Sequence, residues 1–275
     1  MNPNSTLAES HTSNGDEHPA TSRSLAASIA EGYERWARTY DQNPNPLLAR
    51  EQRHLLPLLT NLKKKRSLDL ACGTGRWLEI LMRHGVELGA GVDFSMAMLN
   101  MGAKKNFITG RLAQATCGNL PFPAAVFDLA ICSFALGHLH ELRSTVRELA
   151  RVTRPRADVF VSDLHPEAHE RGWRVGFRDG TLPVEIEMVP RTAEEIVQVF
   201  CSNGFESGVY VALSLGEPEK PIFAQSGKSH LFAKACQLPA ILFCHFKRGS
   251  ESSVGSSQLR ERRCNDETNS RRRDR

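Results

Sequence analysis

Acidic and glycine residues at the ends of two predicted strands form a pattern typical of a small-molecule site. The segment from Ser67 to Trp77 reads as a buried strand that enters a turn containing Gly73 and Gly75 and then continues as a helix. Eighteen residues after Gly75, a second apolar run ends in Asp93. Such a turn cradles a small molecule at the carboxyl end of a strand, and the second acidic residue can accept hydrogen bonds from ribose hydroxyls. The two signals predict a site for an adenosine-containing cofactor.

Two features of the turn argue against a dinucleotide. The dinucleotide fingerprint needs a third glycine where this chain has Leu78. The carboxylate of Asp69, which opens the turn, would repel a pyrophosphate but would attract a cation. A positively charged cofactor is therefore favoured over NAD(P), and an NAD(P) oxidoreductase is the weaker alternative.

The turn and three later segments resemble, in order, the motifs of one family. Residues 69–75 resemble motif I of the class I S-adenosylmethionine (SAM)-dependent methyltransferases, D-x-G-C-G-T-G, with Ala71 in place of the first glycine. Residues 91–99 resemble motif II, G-x-D-x-S-x-x-M-L. Residues 119–130 and 148–155 match the patterns L-P-F-P … F-D-h-h and E-h-x-R-V-h-K-P, where h is apolar. The chain is thus similar to this family over roughly its central third.

The resemblance implies an α/β fold, a doubly wound Rossmann-like sheet of seven strands in the order 3-2-1-4-5-7-6 with strand seven antiparallel. Alternation of apolar runs with helical periodicity independently favours a parallel, doubly wound sheet. The predicted strands are 68–71, 88–92, 113–117, 126–132, 159–163, 208–213 and 240–246. The predicted helices are 24–40, 47–62, 76–84, 96–105, 142–152 and 192–203.

The resemblance also implies a cofactor, SAM, and roles for particular residues. Asp69 would hold the turn and help to bind the methionine ammonium, Asp93 would bind the ribose, and Met98 would pack against the adenine. The acidic residue that usually meets the adenine is replaced by Thr116, whose neutral hydroxyl would bind more weakly by about 1 kcal/mol. The predicted cofactor site consists of Tyr40, Asp69, Ala71, Gly73, Gly75, Asp93, Phe94, Met98, Thr116, Cys117 and Ser133.

Residues 36–41 are similar to the A-x-x-Y-D element of ubiquinone and menaquinone biosynthesis methyltransferases and their type 11 relatives. In those proteins the element folds over the cofactor, which implies that Tyr40 covers the methionine part of SAM. Tyr33, Trp36 and Tyr40 are also spaced as core positions of an amphipathic helix. A core role for Tyr40, and a place in the acceptor pocket for Tyr33 and Trp36, both remain open.

Two histidines are candidates for the catalytic base that a hydroxyl or an acidic carbon would need. His165 follows the fifth predicted strand and has a near-neutral ordinary pKa, although a histidine before a proline also suits a structural role. His138 matches a histidine common after strand four in the family and would face SAM or the acceptor. His165 and His169 have the spacing of a helical metal pair, but Pro166 disfavours helix at His165, so no metal site is predicted.

Composition divides the chain into three regions. Polar residues 1–22 and 247–275 are predicted to be disordered, and residues 23–246 form the methyltransferase domain. Within it, residues 23–62 form a helical cap and residues 164–191 an acceptor lid. The lid's aromatic and apolar content favours a small or lipidic organic acceptor. The chain has no N-P-P-Y type motif of the kind expected for amino-group methylation of adenine or glutamine, and O- or C-methylation is expected. The function implied is that of a SAM-dependent methyltransferase (EC 2.1.1.-).

Charge and cysteines restrict the partners and the compartment. The net charge of +4 arises within residues 247–275, which hold nine basic and five acidic residues. The remaining residues are neutral overall and give no electrostatic case for a nucleic-acid face, so no nucleic-acid partner is expected. The seven cysteines show no C-x-x-C pair and favour reduced thiols. Since neither a secretory signal nor a membrane-spanning stretch is recognisable, a cytoplasmic protein is predicted.

A non-catalytic SAM-binding scaffold that holds a partner through the basic tail is the alternative function from another class. The oligomeric state is open.

Overall fold

The structure, a computed structural model, describes residues 25–42 and 44–250. The predicted disordered segment 1–22 and residues 251–275 of the predicted tail lie outside the described residues. The described strands are β1 (Leu25–Ala27), β2 (Arg66–Leu70), β3 (Leu88–Asp93), β4 (Leu112–Gln114), β5 (Phe127–Ser133), β6 (Thr153–Leu164), β7 (Gly176–Asp179), β8 (Leu182–Ile186), β9 (Phe205–Ser214) and β10 (Pro239–Arg248). The described helices are α1 (Ile29–Trp36), α2 (Pro46–Leu55), α3 (Arg76–Arg83), α4 (Met96–Gly102), α5 (Leu142–Val152), α6 (Pro166–Glu170), α7 (Ala193–Ser202), α8 (Lys220–Gln225) and α9 (Phe232–Ala235).

Seven strands form one sheet in the order β4-β3-β2-β5-β6-β10-β9. Counted along the chain within this sheet, the order is 3-2-1-4-5-7-6, and the last strand, β10, is antiparallel to both of its neighbours. The predicted fold class and strand order are confirmed. Leu70 in β2 pairs with Val92 in β3 and with Cys132 in β5, so three strands end side by side. The loops that follow these strands therefore meet at one edge of the sheet.

Helices cover both faces of the sheet, which is why its central strands are almost continuously apolar. On one face, Val146 of α5 and Phe200 of α7 are buried against the sheet. On the other face, Leu55 of α2 and Trp77 of α3 are buried in a second cluster. The two clusters hold the sheet rigidly and thereby fix the positions of its loops.

The N-terminal cap differs from its prediction as one long helix. Residues 25–27 form β1, and α1 begins only after Ser28, whose hydroxyl accepts a hydrogen bond from the Glu31 amide. β1 pairs in parallel with β8, with Leu25 opposite Val184, and joins a second sheet of three strands, β1-β8-β7. Pairing with a strand more than 150 residues away overrides the local helical pattern of this short segment.

The predicted acceptor lid is also more regular than its sequence suggests. Residues 164–191, expected to be irregular, contain α6 and the antiparallel β7-β8 hairpin. Trp36 stacks on Phe177 of this hairpin with ring centroids 5.3 Å apart, so the cap and the lid form one packed unit. Trp36 is a buried core residue of this unit, and it does not line the cavity described below.

Smaller differences occur elsewhere. α2 ends at Leu55 rather than continuing to residue 62, and two unpredicted short helices, α8 and α9, lie between β9 and β10. Arg156 has a left-handed backbone with φ of +66° inside an irregular part of β6. Lys247 and Arg248, assigned to the tail from the sequence, belong to β10.

No helix among the described residues is long and apolar enough to cross a membrane.

Candidate cofactor site

A cavity of about 660 Å³ opens where β2, β3 and β5 end. Its size lies in the range of small-molecule and cofactor sites. Ten of the eleven predicted cofactor residues contribute to its walls. These ten are Tyr40, Asp69, Ala71, Gly73, Asp93, Phe94, Met98, Thr116, Cys117 and Ser133. The structure thus brings together residues that are spread over nearly a hundred positions of the sequence.

The turn between β2 and α3 bends through three left-handed residues, Ala71, Gly73 and Gly75, with φ of +52°, +56° and +76°. A Cβ atom at Gly73 would meet no atom of the described chain within 4 Å, because the backbone there borders the cavity. Gly75, the eleventh predicted residue, does not line the cavity. A Cβ atom there would lie 2.5 Å from Ile108 Cδ1, so Gly75 permits close packing beneath the turn instead. Ala71 adopts a conformation that costs a non-glycine residue roughly 1–2 kcal/mol.

Asp93 ties the second loop to the glycine turn. Its Oδ2 accepts a hydrogen bond of 2.8 Å from the Gly73 amide, and its Oδ1 accepts one of 2.8 Å from the Ser95 amide. Burial raises the pKa of the carboxyl, and the backbone donors oppose that increase. Each carboxylate oxygen has a second lone pair, so the residue can fix the turn and still accept from a ligand hydroxyl.

Asp69 lies beneath the turn, almost completely buried. Its Oδ2 accepts a hydrogen bond of 2.8 Å from the Leu78 amide in α3. Burial raises its pKa from the ordinary 3.8 to about 7, against the opposing effects of this hydrogen bond and of the Arg76 charge. A cation that entered the cavity would stabilise the ionised carboxylate, so the site favours positively charged ligands.

A buried ion pair lies beside the turn, and the sequence reasoning did not find it. Glu51 of α2 is fully buried and binds Arg76 Nη2. The same carboxylate accepts hydrogen bonds from Trp77 Nε1, at 3.1 Å, and from the Ser162 hydroxyl. Arg76 Nη2 also donates to the Ser133 hydroxyl at 3.0 Å. Arg76 directly follows motif I and could have been identified by position, whereas no local signal marks Glu51.

The cap is attached to the turn through Asp41. Its Oδ1 accepts a hydrogen bond of 2.8 Å from the Thr74 hydroxyl, and its Oδ2 pairs with Lys105 Nζ at 2.9 Å. The preceding residue, Tyr40, lines the cavity and also packs edge-on against Trp36, with centroids 4.8 Å apart. Both predicted environments of Tyr40 are therefore present, and burial raises the pKa of its hydroxyl to about 12.

His138 borders the cavity from the loop after β5. Its Nδ1 lies 2.8 Å from the carbonyl oxygen of Glu187. Because a carbonyl can only accept, the proton sits on Nδ1, and Nε2 carries the lone pair. The ring meets Tyr33 edge-on at 5.4 Å, and Tyr33 lines the same cavity.

His165 is not among the residues that line the cavity. It caps α6, and its Nδ1 accepts a hydrogen bond of 3.3 Å from the Glu167 amide. Pro166 occupies the first helical position, which makes the preceding histidine the cap rather than a free side chain at the strand end. This placement argues against His165 as a base in the cavity. Among the residues that the structure describes, no cluster of three or more His, Cys, Asp or Glu side chains could hold a metal ion.

The fold and the geometry of the cavity agree with the resemblance to class I methyltransferases. Residues 68–161 match the family model described as a methyltransferase domain, of type 11. The chain is 32% identical over 148 residues to a demethylmenaquinone methyltransferase of Corynebacterium urealyticum, covering 54% of this chain and 58% of the relative. It is 34% identical over 136 residues to a malonyl-[acyl-carrier protein] O-methyltransferase of Salmonella typhimurium, covering 50% and 53%.

A solved structure of similar fold is an S-adenosylmethionine-dependent methyltransferase from Mesorhizobium loti. It has a TM-score of 0.56 at 21% identity and covers 72% of this chain and 98% of that one. The likeness at this identity concerns the fold alone. The chain spans a little more than half the length of the two curated relatives.

SAM is the cofactor of the matched family, in agreement with the sequence-based prediction. The residues of the cavity fit this cofactor. A sulfonium and an ammonium suit a buried carboxylate at Asp69, ribose hydroxyls suit the free lone pairs of Asp93, and the open backbone at Gly73 leaves room for a ligand. Met98 and Phe94 add apolar surface against which the adenine ring would pack.

Proposed function

We propose that this protein is a SAM-dependent methyltransferase that methylates an oxygen or carbon of a small or lipidic organic acceptor. The observation that carries the proposal is the shared cavity. It joins the acidic glycine turn to a histidine whose Nε2 lone pair is available. A cofactor-binding scaffold would need the turn but not the histidine.

In the proposed reaction, bound SAM would supply a methyl group on a sulfonium. The acceptor atom would form its bond to this carbon in line with the carbon–sulfur bond that breaks, and the neutral thioether would leave with the electron pair. The chain mainly has to align the two reactants, a contribution that can supply most of the acceleration. Asp93 binds the ribose, Asp69 the ammonium, and Tyr40 on the cap excludes water. Asp41 holds that cap against the turn.

His138 Nε2 accepts the proton that leaves the acceptor. The Glu187 carbonyl fixes the ring through Nδ1, so the lone pair keeps one orientation. Asp163 accepts a 2.6 Å hydrogen bond from the amide of neighbouring Gly137, and the charges of Asp163 and His138 interact. This buried carboxylate stabilises the imidazolium that forms when His138 takes the proton.

The walls of the cavity favour an uncharged acceptor over a carboxylate. Besides Asp69 and Asp93, the acidic residues Glu141 and Glu187 line the cavity, and Ile29, Tyr33 and Phe134 are among its apolar residues. Among the described residues, the only Lys or Arg that lines the cavity is the Arg76 already paired with Glu51. A phenol, enol or hydroquinone is therefore a better acceptor for this cavity than the free carboxyl of a malonyl group.

The test is transfer of isotope-labelled methyl from SAM, followed by mass spectrometry, to parallel panels of hydroquinones, phenols and carboxylic acids. We expect turnover in the first two panels. The variant His138→Asn keeps a donor for the Glu187 carbonyl but loses the base, and should lower kcat by about 10²- to 10⁴-fold with cofactor affinity unchanged.

The matched control is His84→Asn. His84 Nδ1 makes the same kind of bond, 2.8 Å to the Ile80 carbonyl, but lies exposed at the end of α3. This variant should retain full activity. Cofactor binding without turnover on any panel would favour the scaffold, and methylation confined to carboxylic acids would contradict the proposed acceptor class.

A further inference from the structure

One edge of the seven-stranded sheet carries an exposed apolar run. β9 is the last strand in the sheet order, and its outer edge pairs with no strand among the described residues. Val209, Tyr210 and Val211 of this strand are 67%, 52% and 38% exposed. Side chains of successive strand residues point to opposite faces, so this part of β9 is uncovered on both faces of the sheet as well as along its edge.

The sequence of β9 does little to prevent another strand from pairing with it. Exposed edge strands commonly carry lysine or proline, which discourage such pairing. β9 has neither of these residues, and Glu206 is its only charged residue. Valine and tyrosine are also among the residues that strands prefer. An apolar edge of this kind is typical of a surface to which a further strand is added.

Irregular pairing with β10 limits the part of β9 that can accept a partner. The register is regular from Val209, opposite His245, to Leu213, opposite Ile241. It shifts immediately before and immediately after this run. Because bulges bend a strand and disturb its pairing, the usable edge consists of residues 209–213. This short run includes the three exposed apolar residues.

We propose that the partner is a second copy of this chain, whose β9 pairs antiparallel with the β9 of the first copy. A two-fold axis at Tyr210 places this residue opposite its own counterpart, and each Val209 opposite the Val211 of the other copy. The same pairing brings Glu206 towards Ser214 at the far end of the other strand, so the two Glu206 carboxylates stay apart. The two sheets then form one continuous sheet.

The segments outside the described residues match this edge less well than a second β9 does. Val209, Tyr210 and Val211 are three consecutive residues of the β-branched or aromatic type, and pairs of such residues across two strands stabilise a sheet. In residues 1–24 and 251–275, no two consecutive residues are Val, Ile, Thr, Phe, Tyr or Trp. A second copy therefore supplies better cross-strand pairs than either end of the chain.

Sedimentation equilibrium of the full chain over a range of concentrations tests the proposal. The paired run is short, so we expect a reversible dimer with a dissociation constant between about 1 μM and 1 mM. The variants Tyr210→Lys and Tyr210→Glu each bring two like charges together at the two-fold axis and remove the aromatic pair. Each variant alone should dimerise about 10-fold more weakly or worse.

An equimolar mixture of the two variants tests the self-pairing and its register. Lysine of one copy then faces glutamate of the other, and dimerisation should return to within about 3-fold of the native constant. The matched control is Phe107→Lys. Phe107 is 47% exposed and lies just before β4, at the opposite edge of the sheet, so this variant should dimerise like the native chain.

Circular dichroism verifies that each variant is folded, which the exposure of Tyr210 leads us to expect. A native chain that stayed monomeric up to about 1 mM would refute the proposal. A dimer that both Tyr210 variants left unchanged would also refute it, because another surface would then form the contact. If the mixture failed to restore a dimer that each variant had weakened, the antiparallel pairing about Tyr210 would be wrong.

Discussion

The carboxyl of Asp69 should make the stability of the protein depend on pH, because its ionisation opposes folding. Its pKa rises from 3.8 in the ordinary state to about 7, chiefly through burial. At 1.36 kcal/mol for each pH unit, the ionised group costs the folded protein about 4 kcal/mol. A raised pKa means that the folded state holds the proton more tightly, so this carboxyl makes stability fall as pH rises from about 4 to about 7.

Asp69→Asn should abolish that pH dependence. The amide oxygen of the asparagine can still accept from the Leu78 amide, so the turn keeps its hydrogen bond. Between pH 5 and pH 8 the stability of the variant relative to the native protein should increase by about 2.5 kcal/mol. At roughly 2–4 °C per kcal/mol for a domain of this size, the difference in Tm should widen by about 5–10 °C.

Cofactor binding should respond in the opposite direction. A cationic ligand favours the ionised carboxylate, so native affinity for SAM should rise as pH increases from 5.5 towards 7 and then level off. Asp69→Asn should bind more weakly at pH 8 and lose most of this pH dependence. Differential scanning fluorimetry of the ligand-free proteins and calorimetry with SAM at several pH values measure both effects. Parallel Tm curves for the two proteins, together with identical pH dependence of binding, would refute the reasoning.

Two further predictions concern the turn and its cap. Asp41→Asn removes the charge that pairs with Lys105. We therefore expect SAM to dissociate about 2- to 5-fold faster in stopped-flow fluorescence, and the difference from the native protein should shrink at high salt. Equal dissociation rates at low salt would contradict a role for Asp41 in holding the cap against the turn. Ala71→Gly relieves the left-handed backbone at φ of +52° and should stabilise the protein by about 0.5–1 kcal/mol in urea unfolding. The control is Ala103→Gly, at an ordinary φ of −60°, which should destabilise the protein by a similar amount. If both variants changed the free energy of unfolding in the same direction, Ala71 would not be strained.

The fold and the cofactor turn could be predicted because their signals are local. The glycine turn and Asp93 sit within a few residues of the strands that position them, and the order of the sheet follows from the family motifs. The pairing of β1 with β8 could not be read in the same way, because residues 25–27 also suit the helical pattern that follows them. Long-range strand pairing decides such short segments.

Within the site, Glu51 and His165 show why some residues could not be placed from the sequence. Glu51 becomes part of the site only because Ser162, 111 positions away, and Arg76 fold against it. His165 lies outside the lining of the cavity for a local reason that the sequence did contain. Pro166 begins α6, and the histidine before it becomes the helix cap rather than a free base at the strand end.

The central claim is that the cavity recognises a cationic, adenosine-containing methyl donor. Calorimetric titration of the purified chain with SAM and, in parallel, with NADH tests it most directly. We expect one molecule of SAM bound per chain, with no detectable heat from NADH, because Asp69 lines the cavity and its carboxylate would repel a pyrophosphate. Binding of NADH without binding of SAM would contradict it.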